Sequence, residues 1–142
     1  MTPDLVFDAH NRDHEAFDAV DVLLKGQEAP LPAGVTFTDK DGHMRDAIRT
    51  RWWKPDAGTY REAYIGLGGV EIPDVPLPGD LTLPQPDRPT FIGHYWFDPA
   101  SPLEPAAPQV ACVDYSAARG GPLVAYRFDG EEMLLASRFV GV

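Results

Sequence analysis

The sequence predicts an α+β protein in which a few helices and a long proline-rich loop precede a β-meander. Three observations carry this. Phe17, Val20, Leu23 and Leu24 recur at helical spacing before Gly26. Between Glu71 and Arg88 prolines are too frequent for a helix or a central strand. From Pro89 to Val142, short runs rich in aromatic and β-branched residues alternate with turn signals. At 142 residues, of which 44% are apolar, the chain fits one domain: a helical and proline-rich segment (1–88) and a β-meander (89–142).

Taken in order, Leu5, Val6, Phe7 and Ala9 fit the end of a helix or a short strand. Asp13 is the expected N-cap of the next helix, and Gly26 its stop. Residues 27–34 (QEAPLPAG) form an extended connector stiffened by proline. Val35–Thr38 is β-prone, and Asp39–Gly42 is a turn or the start of a helix. His43–Trp53 fits two templates. Met44, Ala47, Ile48 and Trp52 suit a helix, whereas alternation places Asp46 and Thr50 with Met44, Ile48 and Trp52. A helix is the favoured reading, with Arg45 and Arg49 one turn apart.

Lys54–Gly58 is a turn, 59–65 a short element of open type, and 66–69 a break. The 71–88 loop is expected to be ordered, pinned by Ile72, Val75, Leu77, Leu81 and Leu83. A loop of that length is usually functional or a crossing segment. Strands are expected at Thr90–Tyr95, Gln109–Tyr115, Leu123–Phe128 and Met133–Val140. The second is apolar on both faces and so belongs in a sheet covered on both sides. Gly120-Gly121 permits a tight turn, and Asp129-Gly130 is the strongest hairpin signal in the chain.

A net charge of −10 repels phosphate backbones and anionic lipid, so neither nucleic acid nor membrane is an expected partner. Arg45, Arg49 and Arg51 form the only dense basic group, either a solvated, ion-paired face or a receiver of an anionic substrate. One cysteine excludes an internal disulfide, and Cys112 reads as a small buried hydrophobe. No apolar run approaches the roughly 20 residues of a membrane span. The N-terminus lacks a basic-then-apolar leader. The expected compartment is cytoplasmic. Trp52, Trp53 and Trp96 read as packing residues, and His10, His14 and His43 as surface or capping histidines.

The residue pair with most chemical promise is Gly93-His94. A histidine at a strand end can leave the sheet and face a ligand, with the glycine supplying close approach or an unusual dihedral. The residues around and after this pair add a family resemblance. Phe91-Ile92-Gly93-His94-Tyr95-Trp96, then Ala111-Cys112-Val113-Asp114, Gly120-Gly121 and Leu123-Val124-Ala125-Tyr126-Arg127 before Asp129-Gly130, resemble the C-terminal end of the calcineurin-like metallophosphoesterases. The likeness is to the bacterial branch related to protein phosphatases and diadenosine tetraphosphatases. Leu23-Leu24-Lys25-Gly26, Asp39-Lys40-Asp41-Gly42-His43 and Arg51-Trp52-Trp53 resemble its middle.

The resemblance implies the C-terminal half of a two-sheet αββα sandwich, with His94 a ligand to one of two divalent metal ions (Mn, Fe or Zn). Such a pair, roughly 3.5–4 Å apart, clamps a phosphate and activates water for in-line attack. Asp8 and His10 spell Asp-x-His behind an apolar triplet, a second candidate ligand pair without the family's following glycine. Asp114 is a candidate for a carboxylate behind the ligands or one that fixes a turn, and Arg119 can reach a phosphate. The family's Gly-Asp-x-x-Asp-Arg-Gly and Gly-Asn-His-Glu motifs do not occur here. The implied function is therefore the C-terminal portion of a two-metal phosphoesterase, inactive by itself and completed by a missing N-terminal half or a second copy. The alternative is a non-catalytic interaction module that retains the same sheet.

Overall fold

Local chemistry fixes the first elements of the computed structural model, which describes residues 3–39, 42–66, 70–83 and 85–142. Two helices come first, α1 (Pro3–Asp8) and α2 (Glu15–Lys25). The α2 N-cap is His14, one residue beyond the expected Asp13, and its Nδ1 accepts the Ala16 amide at 3.1 Å. Gly26 stops the helix as expected. Its φ of 86° is costly for any residue with a Cβ, and its amide bonds the Val22 carbonyl at 2.8 Å. No α2 residue is fully buried, and Val22, Leu23 and Leu24 are exposed.

The expected helix over His43–Trp53 is replaced by strands. β1 (Glu28–Pro30) pairs antiparallel with β4 (Ala47–Arg49), and β2 (Phe37–Thr38) with β3 (Met44–Arg45). Ala29 and Ile48 face each other across the first pair, both fully buried. Buried Thr50 clamps the end of that pair, giving both its amide and its hydroxyl to the Gln27 carbonyl at 2.9 Å. Cross-strand partners outside the segment, Phe37–Thr38 and Glu28–Pro30, which helical spacing cannot report, decide the conformation. Lys40 and Asp41 of the expected 39–42 turn lie outside the described residues, as do 67–69 of the expected break.

Thr59 caps the short α3 (Tyr60–Ala63) by accepting the Glu62 amide. Tyr60 donates its hydroxyl to the Pro30 carbonyl at 2.6 Å. The proline-rich 71–88 segment crosses this layer. Tyr60 N to Val75 O and Leu77 N to Gly58 O, each 3.0 Å, hold its backbone, while Ile72 and Leu83 enter the core. Val75, expected as a pin, is instead exposed.

The second half is not a simple antiparallel meander. β5 (Thr90–Ile92) and β6 (Val110–Cys112) run parallel, joined by the irregular 93–109 connection. β7 (Val124–Tyr126) and β8 (Phe139–Gly141) run antiparallel. All three β6 residues are fully buried, as its two apolar faces predict. Asp129-Gly130 does not close a two-residue hairpin. Gly130 takes φ 95° but Asp129 is not left-handed, so the type I′ turn fails. Glu131 accepts the Tyr126 hydroxyl at 2.5 Å and the Asp129 amide at 2.9 Å, Asp129 pairs with Arg138, and the return strand begins only at Phe139.

The result is α+β, with four two-stranded sheets among the described residues. One apolar cluster centres on Ala29, Ile48, Tyr60 and Ile72, the other on Ala111, Tyr115, Val124 and Phe139. An aromatic chain spans the space between them. Trp53 meets Tyr95 edge-on at 5.0 Å and Phe97 at 6.1 Å, and Phe97 meets Tyr115 at 5.6 Å.

Candidate functional site

Parallel pairing brings the ends of β5 and β6 to the same edge, and the segments leaving the two strands meet there. The Asp114 carboxylate joins them: Oδ2 accepts the His94 amide at 2.9 Å and Oδ1 the Ser116 amide at 3.0 Å. The Asp114 carbonyl in turn accepts the Phe97 amide at 2.9 Å. Asp114 therefore fastens the turn, one of the two roles expected of it.

The unusual dihedral expected at Gly93 falls one residue later. Gly93 does not have positive φ, and a Cβ there would meet Asp114 only at ordinary contact distance, 3.9 Å. His94 itself is left-handed at φ 70°, and Trp96 follows at φ 51°. Non-glycine residues held in this region cluster at ligand clamps and are kept there by their surroundings. The surroundings here are explicit. The Asp114 carboxylate grips one end of the turn, the Trp52 indole donates to the Tyr95 hydroxyl at 2.8 Å, and the Arg119 guanidinium lies 4.1 Å over the Trp96 ring. His94 is exposed. Arg119, a candidate to reach a phosphate, is exposed and lies over the Trp96 ring in the turn that carries His94.

Beneath the turn the Tyr95 ring is partly withdrawn from water, which raises its phenol above the ordinary value. The Trp52 hydrogen bond and the charge of Arg49 act in the opposite direction. Burial likewise pushes the Cys112 thiol up to about 11, against the hydrogen bond it gives the Asp114 carbonyl. A thiol so held is a packing group, as the sequence indicates.

Beside the turn lies a cleft of about 400 Å³ walled by Trp53, Tyr95, Trp96 and Phe97, with Arg51 and Asp98 supplying its charges. Sequence reasoning placed Arg51 with Arg45 and Arg49 and the tryptophans in packing. The available signal was two charged aromatic tracts, Arg51-Trp52-Trp53 and Tyr95-Trp96-Phe97-Asp98, whose meeting is a tertiary event. Arg45 pairs with Asp39 at 2.8 Å and Arg49 with Glu28 at 3.6 Å, whereas Arg51 has no carboxylate partner among the described residues.

Asp8 and His10 do not join the His94 turn. His10 Nδ1 donates to the Val6 carbonyl at 2.7 Å, and Asp8 sits 3.9 Å from His14 Nε2. Because His14 Nδ1 accepts an amide, its neutral ring carries the proton on Nε2, facing Asp8. Among the described residues no three His, Cys, Asp or Glu side chains group as metal ligands. Asp114 approaches His94, and both oxygens of its carboxylate already hold amides. The described residues thus offer one candidate ligand, His94, without the others that a metal centre needs. No described helix is long and apolar enough to cross a membrane.

No protein-family model matches the chain, and no curated protein or solved structure does either.

Proposed function

We propose that the chain is the C-terminal portion of a two-metal phosphoesterase of the calcineurin-like kind, acting on phosphoesters or pyrophosphates. In this reading His94 contributes one imidazole to a divalent ion (Mn, Fe or Zn). The remaining ligands, and the second sheet of the sandwich, come from another polypeptide segment or a second copy. The observation that supports it best is the strained, exposed His94 at the carboxyl end of a parallel strand, its amide fixed by Asp114 from the end of the neighbouring strand. Ligands of open parallel sheets collect at that edge. Holding the backbone by a carboxylate leaves the imidazole free to coordinate.

The test is hydrolysis of bis(p-nitrophenyl) phosphate with manganese, by the chain alone and combined with a polypeptide carrying the family's earlier motifs. The reading expects manganese-dependent turnover in the combination, lost in His94→Ala. Absence of turnover and of bound metal in every combination would overturn it.

A second reading has support of its own. Phe91, Leu123, Phe128 and Val140 are all exposed in the second half, and Leu23 and Leu24 on α2 are 83% and 70% exposed. In this reading a partner covers these side chains. Turnover that depends on His94 would exclude a purely structural role.

A further inference from the structure

The cleft beside the His94 turn has a chemistry of its own, independent of any metal. Four aromatic rings share its walls with polar surface of about equal extent, and about 400 Å³ admits a two-ring molecule. The walls are fixed. Trp53 is buried and packs edge-on against Tyr95, Tyr95 is tethered by Trp52, and Trp96 is braced by Arg119. Arg51 is fixed at the backbone by its amide bond to the Ala63 carbonyl at 2.6 Å, yet its guanidinium has no carboxylate partner among the described residues. In a chain of net charge −10, whose other two clustered arginines are both paired, that planar fork is a specific feature.

Charge selects the ligand further. One guanidinium matches one carboxylate, with two parallel hydrogen bonds. Among the described residues the only other charged lining group is Asp98, whose Oδ1 accepts the Ala100 amide at 2.8 Å and so holds its carboxylate in place. It opposes a second negative charge on the ligand. Ser101, also in the lining, offers a neutral hydroxyl. We infer that the Arg51–Trp96 cleft binds a small aromatic monocarboxylate, its ring against the Trp53, Trp96 and Phe97 wall and its carboxylate on Arg51.

The test tracks the three indole N–H signals of the ¹⁵N-labelled chain during titration with 2-naphthoate. Three comparison probes are the neutral 2-naphthylmethanol, the dianionic 2-naphthyl phosphate and ringless acetate. The expected result is saturable movement of the Trp53 and Trp96 signals with 2-naphthoate, and weaker binding of all three comparison probes. Arg51→Gln should weaken 2-naphthoate about tenfold while the neutral probe is unaffected, and Arg51→Lys should fall between, since it keeps the charge but not the fork. Asp98→Asn retains the acceptor for Ala100 and should narrow the gap between the monoanion and the dianion. The same spectra report whether each variant is folded. No saturable movement, an Arg51→Gln variant that binds as the wild type does, or tighter binding of the phosphate than of the carboxylate would each overturn the inference. None of these outcomes depends on His94 or on turnover, so this inference and the phosphoesterase reading fail separately.

Discussion

Asp114 holds His94 by the backbone: its Oδ2 lies 2.9 Å from the His94 nitrogen, while Oδ1 holds Ser116 at 3.0 Å. One carboxylate thus ties the residues after β5 to those after β6, and the His94 ring projects from a turn that its own side chain does not support.

Asp114→Ala removes the acceptor for two amides at once. Charge-assisted bonds of this kind place the expected loss at about 2 kcal/mol, read as a lower urea midpoint at unchanged slope. Asp114→Asn keeps one good acceptor and should lose less. An alanine variant as stable as wild type would mean the carboxylate does not fasten the turn.

The left-handed backbone at His94 predicts an unusual substitution pattern. An L-residue there costs about 1–2 kcal/mol, which glycine avoids against about 0.5–1 kcal/mol of added chain entropy. His94→Gly should therefore be as stable as wild type or slightly more so, while His94→Val should be less stable. Gly93→Ala should be tolerated, because no positive φ and no close contact requires glycine there. Thermal unfolding of the three variants measures this directly.

Gly26 and Tyr95 connect the helical segment to the site. A Cβ on Gly26 would overlap the Tyr95 hydroxyl, and φ at Gly26 is 86°. Gly26→Ala should cost about 2 kcal/mol or more from strain and overlap together. In a Tyr95→Phe background the cost should shrink by about 1 kcal/mol, a coupling that a double-mutant cycle resolves. Additive effects would separate the two residues.

Cys112 sets an alkaline limit. Its thiol, ordinarily near 9.0, is pushed up to about 11 by burial, so the unfolded chain loses this proton first. Stability from this group is complete below about pH 9 and declines as pH rises from there to about 11. Comparison of wild type with Cys112→Ala across that window should show the extra slope only in the wild type. Alkylation of the native chain by iodoacetamide should be slow at pH 8 and accelerate towards pH 11. Rapid alkylation of the native chain at pH 8 would contradict the burial.

How much was legible depended on whether a signal was local. α2 and its glycine stop could be read because Phe17, Val20 and Gly26 act within one helix, and only the cap moved, from Asp13 to His14. The 43–53 segment satisfied two templates at once, and its partner Glu28–Pro30 sits in what looked like a connector, so a long-range pairing decided it. The parallel β5–β6 pair and the late start of β8 were hidden for the same reason. Asp129-Gly130 is a strong turn signal, but the Tyr126–Glu131 and Asp129–Arg138 contacts hold the chain open past it. Gly93-His94 marked the turn that holds the unusual dihedral, which falls on His94 and not on Gly93. The cleft could not be seen, since its walls come from tracts more than 40 residues apart.

The most direct measurement is the response of the histidine ring nitrogens to zinc, by ¹⁵N NMR, in the chain combined with a polypeptide carrying the family's earlier motifs. The account predicts that, of the four histidines, His94 alone shows the shift of a coordinated imidazole nitrogen, and that no ring coordinates in the His94→Gly variant, which remains folded. A bound ion that leaves the His94 ring unchanged, or coordination that persists after its removal, would contradict the claim that this residue is a metal ligand.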